Sequence, residues 1–275
     1  MAWYMLSGFA DEITTDIVYQ MDCLDNNGIK MLDLRSAFQK NVMDFEDWQN
    51  EKLLREYSNR KFRIATIASP IGKTQITEPW EDVEKKMTHA IKLAQFYKTP
   101  FIRVFSFYYP DGTKPADHRA EVMKRMTAMT QMAAAGKITL LLENESKLYG
   151  DRAEDVLDIL KTVNSPALKQ CFDFGNFVNA GHKSIKTECW DVLKPFVRYI
   201  HIKDVSRKEG KPVPAGQGDG EIEAILRDAK ASGMKLILAL EPHLAQVGQF
   251  QGFSGDKLFT VATEALKGIL GKIGE

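Results

Sequence analysis

The sequence predicts an α/β protein of the (β/α)₈ barrel class, because short apolar runs alternate with amphipathic stretches along its 275 residues. Each run has the length of a strand, and most are rich in Ile, Leu, Val or Phe at both odd and even positions. Continuous apolar character is typical of parallel strands that are buried on both faces. Eight such runs, each followed by a helical segment, favour a single barrel domain over residues 1–275.

Each element of this pattern can be bounded from the sequence. The predicted strands are Tyr4–Phe9, Lys30–Leu34, Arg63–Ala68, Phe101–Phe107, Ile138–Leu142, Lys169–Phe172, Arg198–Ile202 and Leu236–Leu240. The first predicted helix is capped by Thr14 or Thr15 and ends at Asn27. The other predicted helices are Phe45–Asn59, Pro79–Tyr97, Ala116–Ala135, Ala153–Val163, Thr187–Leu193, Glu221–Ser232 and Asp256–Leu270. An open doubly wound sheet is the rival architecture, but it usually needs G-x-G-x-x-G after its first strand, and SGFADEI does not match.

Composition excludes several classes of function. Lys and Arg together number 37, as do Asp and Glu, so the formal net charge is zero and nucleic acid is a disfavoured partner. No apolar stretch approaches the ~18 residues that a membrane helix needs. The segment Met1–Ile13 lacks the basic start of a secretory signal. Three cysteines at irregular spacing argue against a disulfide framework, so we expect reduced thiols and a cytoplasmic location.

Ionisable side chains stand at the ends of four consecutive predicted strands. Glu143 follows strand 5, Asp173 follows strand 6, His201 lies within strand 7 and Glu241 follows strand 8. In a (β/α)₈ barrel the carboxyl ends of the strands carry the chemistry. Three carboxylates at one mouth would repel one another without a cation between them, so the pattern predicts a metal site. This oxygen-rich set suits Mn²⁺, Mg²⁺ or Co²⁺, with Zn²⁺ as an alternative.

Several segments carry a resemblance to a known family. LLLENE, CFDFGNFVNAG, YIHIKD, PAGQGDGEI and LALEPH resemble the second half of sugar isomerases and epimerases of the xylose-isomerase-like barrel superfamily. The resemblance covers essentially the whole chain and implies one divalent metal ion bound by Glu143, Asp173, His201 and Glu241. It also implies a small carbohydrate substrate, on which the metal acts as a Lewis acid while Glu143 and Glu241 exchange a proton through a cis-enediolate.

Four further residues are candidates for substrate binding. Arg207 lies six residues after the histidine of strand 7, where ketose 3-epimerases of the superfamily that the sequence resembles carry a substrate-binding arginine. Asn176 replaces the histidine of their Asp-x-x-His motif, which argues against a simple transfer of epimerase activity. His243 follows the strand 8 glutamate by two residues, and Lys73 closes strand 3. A solvated loop cation is an equally good interpretation of Arg207, and a surface or packed position is an alternative for His243.

Other residues near the predicted mouth have structural explanations. Arg35 and Arg103 have two interpretations, as ion-pair partners in the barrel wall or as residues that bind a substrate anion. The first is at least as good as the second. Asp204 and Glu145, each taken alone, are typical of carboxylates that cap a helix or pair with a cation. The glycine-rich run at residues 216–220 follows strand 7, but glycines also simply make turns, so we infer no phosphorylated substrate from it.

The loop after strand 8 is a candidate for a second kind of role. Leu244–Gly255 carries Phe250 and Phe253 among glycine and glutamine residues. Such a segment is suited to form a lid or a subunit interface, and a homo-oligomer is therefore one expectation.

Four functions compete at this stage. The leading hypothesis is a metal-dependent isomerase or epimerase of a sugar or keto-sugar, and the main alternative is a lyase, such as a dehydratase of a keto-inositol or oxidised sugar. A zinc endonuclease of abasic DNA would need several zinc-binding histidines, yet only His201 and His243 stand at predicted strand ends. A non-enzymatic sugar-binding barrel would have no need of paired glutamates around a metal.

Overall fold

The computed structural model describes residues 2–245 and 254–274, so Phe250 and Phe253 of the lid or interface hypothesis lie outside the described residues. The main sheet contains β1 (Tyr4–Gly8), β2 (Met31–Leu34), β3 (Arg63–Ile67), β4 (Phe101–Val104), β5 (Thr139–Glu143), β6 (Leu168–Asp173), β7 (Val197–Ile202) and β8 (Leu236–Leu240). Two short antiparallel hairpins pair Ser36–Ala37 with Lys40–Asn41 and Asp204–Ser206 with Lys211–Val213.

Helices alternate with these strands. They are α1 (Ile17–Asn26), α2 (Asp47–Asn59), α3 (Trp80–Phe96), α4 (Pro115–Ala135), α5 (Ala153–Val163), α6 (Phe174–Asn179), α7 (Asp191–Leu193), α8 (Ile222–Ala231) and α9 (Gly255–Lys272). Single turns of 3₁₀ helix cover Ala10–Glu12, Val42–Asp44, Tyr149–Asp151 and Lys194–Phe196, and a π-helical turn covers Lys186–Trp190. Among the described residues, no helix has both the length and the apolar character to cross a membrane.

The chain divides into two compact units, and the first comprises Met1–Ala65 and Ile200–Glu275. Within it, β1 pairs in parallel with β8 over all five residues of each strand. A Cβ atom on Gly8 would meet Phe259 of α9 at 2.8 Å and Leu24 of α1 at 3.7 Å, so both helices pack directly on β1. That the two units form one domain stays a prediction.

The second unit comprises Thr66–Tyr199 and contains three consecutive parallel strands. β4 pairs with β5 from Phe101–Thr139 to Val104–Leu142, and β5 pairs with β6 up to Glu143–Cys171. Leu140, Leu141 and Leu142 of β5 are all fully buried, as expected for a parallel strand covered on both faces. The carboxyl ends of β5 and β6 therefore lie side by side.

Seven of the eight predicted strands agree with the structure to within one residue at each end, and strand 4 is the exception. It was predicted to reach Phe107 but ends at Val104, because the backbone turns there to pair with the loop after β3. Phe107 has a φ of +72° and donates its N–H to the Gly72 carbonyl at 2.9 Å. Gly72 has a φ of +89°, and a Cβ there would lie 2.1 Å from the Phe105 carbonyl oxygen, so this approach requires glycine.

The predicted cap of the first helix was wrong. Asp16, and neither Thr14 nor Thr15, is the N-cap of α1, and its Oδ1 accepts hydrogen bonds from Val18 and Tyr19 at 2.9 Å. The Asp16 carboxylate accepts hydrogen bonds from two amides, and its negative charge interacts favourably with the positive end of the helix. A threonine hydroxyl is neutral and lacks this second interaction.

Candidate metal centre

In the second unit, the structure places Glu143 and Asp173 at the carboxyl ends of neighbouring strands. Glu143 is the last residue of β5 and Asp173 is the last residue of β6, two positions beyond the register partner of Glu143. Both side chains are buried, with relative exposures of 2% and 0%. Because parallel strands end at the same edge of a sheet, these carboxylates belong to one face of the unit, as predicted.

Arg103 balances the charge of Glu143. Its Nη1 lies 3.2 Å from Glu143 Oε2, and its Nη2 donates to the Ala68 carbonyl at 3.1 Å. The guanidinium also lies 4.8 Å from the centre of the Phe105 ring. A buried carboxylate requires such a partner, because desolvation otherwise disfavours its charged form. The interpretation of Arg103 as an ion-pair partner in the wall is confirmed.

Asn176, a predicted substrate-binding residue, is engaged with other protein groups. Its Nδ2 donates to the Asn144 carbonyl at 2.9 Å and lies 3.4 Å from Glu143 Oε1. Its backbone N–H donates to Asp173 Oδ1 at 2.7 Å, so Asp173 caps α6. The structure therefore brings Asn176 together with both predicted ligands of the second unit, and its role toward a substrate stays a prediction.

Lys73 lies on the loop after β3 and pairs with a different carboxylate. Its Nζ is 2.6 Å from Glu145 Oε2 and 4.4 Å from the centre of the Phe105 ring. About a third of its side chain is exposed, at 35%. The interpretation of Glu145 as the partner of a cation is confirmed, whereas substrate binding by Lys73 stays a prediction.

In the first unit, the structure brings His201 and Glu241 into direct contact. His201 lies on β7 and Glu241 follows β8 directly, and the Glu241 N–H donates to the Ile202 carbonyl at 3.2 Å. His201 Nδ1 lies 3.0 Å from Glu241 Oε2, and both side chains are buried. Burial opposes ionisation of Glu241, but hydrogen bonds from His201 and His243 and the nearby Lys203 charge hold its pKa well below the usual range.

Arg35 holds the other oxygen of Glu241. Its Nη1 donates to Glu241 Oε1 at 2.7 Å, its Nε donates to Asp11 Oδ2 at 2.7 Å, and its Nη2 lies 3.3 Å from Glu12 Oε1. All four residues are buried. The interpretation of Arg35 as an ion-pair partner is confirmed. Asp11 and Glu12 were not found from the sequence, although both follow directly on the apolar run of strand 1.

His243 completes this charged network. Its Nε2 lies 2.9 Å from Glu12 Oε1 and 3.5 Å from Glu241 Oε1. Burial disfavours the imidazolium, but the hydrogen bonds to Glu12 and Glu241 outweigh it and raise the pKa of His243 to about 9. The prediction that His243 faces the same site as Glu241 agrees with this contact, and a role in substrate binding stays a prediction.

Arg207 and the glycine-rich run form a separate feature of the first unit. Arg207 Nη1 lies 3.1 Å from Asp219 Oδ1, and 36% of its side chain is exposed. The amides of Gly216, Gly218 and Gly220 donate to the buried carboxylate of Asp204 at 2.8–3.0 Å. These amides thus bind a protein carboxylate. Substrate binding by Arg207 stays a prediction.

Comparison with known proteins supports the fold and the family. The family model described as xylose isomerase-like TIM barrel matches residues 27–256. A curated relative, 3-dehydroshikimate dehydratase of Bacillus anthracis, is 23% identical over 180 residues, which span 66% of this chain and 63% of that protein's length.

Two solved structures extend the likeness over the whole chain. The IOLI protein with a binding zinc atom has a TM-score of 0.78 and 12% identity, covering 98% of this chain and 99% of its own. D-psicose 3-epimerase with D-tagatose, from Clostridium cellulolyticum H10, has a TM-score of 0.77 and 13% identity, with the same coverage of 98% and 99%. The fold is therefore the predicted (β/α)₈ TIM barrel, and proteins that share it include a dehydratase and an epimerase. The chain belongs to the xylose isomerase-like TIM barrel family.

Proposed function

We propose that the protein is a divalent-metal-dependent enzyme whose ligands are Glu143, Asp173, His201 and Glu241. The observation that carries this proposal is the placement of four buried ligand-type side chains at the ends of β5, β6, β7 and β8. In the barrel of this family, successive strands direct their carboxyl ends to one face, where active sites lie.

The chemistry of these residues fits one metal ion. Three carboxylates and one imidazole supply mostly oxygen donors, which suit Mn²⁺, Mg²⁺ or Co²⁺ and also accept Zn²⁺. Arg35 and Arg103 each hold an oxygen of a glutamate, as outer partners of metal ligands commonly do. The three carboxylates of the proposed ligand set favour a cation between them, because they would otherwise repel one another.

The proposed reaction is proton transfer at a carbon beside the carbonyl group of a sugar or keto-sugar. When bound, the metal supplies Lewis-acid polarisation of substrate oxygens. Glu143 and Glu241 exchange the proton, one as base and the other as acid, through a cis-enediolate. The interactions of Arg35 with Glu241 and of Arg103 with Glu143 keep both carboxylates oriented. We assign Asn176, Arg207, His243 and Lys73 to contacts with substrate hydroxyls or carbonyls.

A dehydratase is the second candidate function, and the curated dehydratase relative favours it. The first step is the same removal of a carbon-bound proton by a glutamate. The C–O bond to the β-hydroxyl then breaks, the electron pair of the former C–H bond forms a carbon–carbon double bond, and the hydroxyl leaves as water after taking up a proton. A small carbohydrate or carbocyclic substrate fits both candidates.

Isotope exchange distinguishes the two reactions. The Mn²⁺-loaded protein is incubated in D₂O with a panel of keto-sugars, inososes and 3-dehydroshikimate, and the products are followed by NMR. The proposal predicts deuterium at one carbon beside the carbonyl of at least one substrate, together with an isomerised or epimerised product. Loss of water from that substrate would support the dehydratase instead. No exchange with any member of the panel would contradict both.

A further inference from the structure

Asn144 makes an unusual pair of hydrogen bonds beside a proposed ligand. The parallel register of β5 and β6 runs to Glu143–Cys171, two residues before Asp173. Asn144 Oδ1 accepts the Asp173 N–H at 2.9 Å, and Asn144 Nδ2 donates to the Asp173 carbonyl at 2.9 Å. The side-chain amide thus contacts both backbone groups of Asp173, as the backbone of a neighbouring strand would.

The surrounding amides fix this side chain in turn. Gln170 Nε2 donates to Asn144 Oδ1 at 3.1 Å, and Asn144 is fully buried. The Asn144 carbonyl accepts from Asn176 Nδ2 at 2.9 Å, and the same Nδ2 lies 3.4 Å from Glu143 Oε1. The Asn144 side chain therefore contacts Asp173, whereas its backbone carbonyl binds Asn176.

We propose that the Asn144 side chain is the positioning residue for Asp173, a proposed ligand of the second unit. Asp173 is the last residue of β6 and the N-cap of α6, so its backbone lies at a change of direction. Holding its N–H and its carbonyl at once fixes the direction of its Cα–Cβ bond, and hence the carboxylate. This inference rests on the proposed metal site but assigns a role that the ligand set itself does not require.

The test uses Mn²⁺ alone, without substrate. Its dissociation constant is measured by titration for the wild type, Asn144→Ala, Asn144→Asp and the control Thr130→Val. Thr130 is a buried residue of α4 whose hydroxyl donates to the Met126 carbonyl at 2.7 Å, so the control removes a buried hydrogen bond that no proposed ligand makes. The unfolding midpoint of each metal-free variant is measured in parallel.

Asn144→Asp discriminates between position and charge. It keeps the shape and the acceptor for the Asp173 N–H, but it loses the donor to the Asp173 carbonyl and adds a negative charge. Charge alone would tighten Mn²⁺ binding, whereas loss of positioning weakens it. This variant also carries the test if Asn144→Ala does not fold.

We expect the Mn²⁺ dissociation constant to rise by about 10- to 100-fold in both Asn144 variants. In Thr130→Val it stays at the wild-type value, whatever the change in unfolding midpoint. Wild-type affinity in the Asn144 variants, or tighter binding in Asn144→Asp, would overturn the positioning role and leave the proposed function intact. Failure of the wild type itself to bind Mn²⁺ would overturn the proposed function, and this inference with it.

Discussion

The two units hold their proposed ligands by different chemistry. In the first unit, Glu241 lies in a network of charges, with Arg35 at 2.7 Å and His243 at 3.5 Å. In the second unit, Asp173 is held by the neutral amides of Asn144 and Asn176. Glu143 has both kinds of partner, the charged Arg103 beside Oε2 and the neutral side-chain amide of Asn176 beside Oε1.

This difference predicts how each unit responds to change. Charge networks in a buried environment are strong but depend on the ionisation of every member, so they respond to pH. Amide networks carry no net charge and fix direction through paired donors and acceptors. We therefore expect the first unit to control the electrostatics of the proposed site and the second to control its geometry.

The largest effect is expected when the proposed bases lose their carboxylates, one in each unit. Glu143→Gln and Glu241→Gln keep a carbonyl oxygen for weak coordination but remove the base. Each should lower turnover by about 10²- to 10⁴-fold and change substrate binding far less. Steady-state kinetics at saturating metal measures both parameters. Near-normal solvent exchange at the substrate carbon in both variants would show that neither is the base.

A smaller effect is expected for the cations that pair with those glutamates, and it should differ between the units. Arg35→Met leaves Asp11, Glu12 and Glu241 without their shared guanidinium and should cost about 3–5 kcal/mol of unfolding free energy. Arg103→Met is the matched change in the second unit, where the guanidinium lies 3.2 Å from Glu143 Oε2. This contact is longer than the 2.7 Å between Arg35 and Glu241, so we expect a smaller loss of unfolding free energy, measured by urea unfolding.

The deficit of Arg35→Met should depend on pH. Burial raises the pKa of Asp11 even with Arg35 present, and loss of the guanidinium raises it further. A protein that contains such an acid loses stability as pH rises from the unfolded-state pKa to the raised folded-state pKa, since the unfolded state ionises more easily. The deficit should therefore be larger at about pH 8 than at about pH 5. An equal deficit at both pH values would contradict the charge-network description.

The smallest effect is expected with abasic DNA. In the first unit, His201 and His243 lie beside Glu241. The described histidines of the second unit lie on helices or make other contacts. His182 accepts the Ala153 N–H at 3.3 Å and pairs with Glu188, and His89 and His118 lie on α3 and α4. We expect no incision of an abasic duplex by the purified protein, with or without Zn²⁺. Efficient metal-dependent nicking on a gel would favour the endonuclease hypothesis.

The sequence was sufficient to predict the fold and the positions of the proposed ligands. Apolar runs of strand length mark buried parallel strands, and Glu143, Asp173 and Glu241 interrupt that pattern at strand ends. This signal is local, because a strand end and an ionisable residue lie within a few positions of each other. It holds for the proposed ligands of both units.

The partners of those ligands could not be predicted in the same way. Arg35 and Glu241 are 206 residues apart, and Asn144 and Asp173 are 29 residues apart. Their contacts depend on which strand ends meet in space and on the direction of each side chain. The turn at Phe107 was missed for the same reason, since its cause is the approach of the loop at Gly72. Location in the cytoplasm and assembly into a homo-oligomer stay predictions.

Metal stoichiometry is the most direct test of the central claim, which is that Glu143, Asp173, His201 and Glu241 bind one divalent ion. After loading with Mn²⁺ and removal of free ion, elemental analysis of the wild type should give one divalent ion per chain. Asp173→Asn in the second unit and His201→Ala in the first should each lose that ion while keeping the wild-type circular dichroism spectrum. Full occupancy in both variants, or a metal-free wild type after loading, would contradict the account.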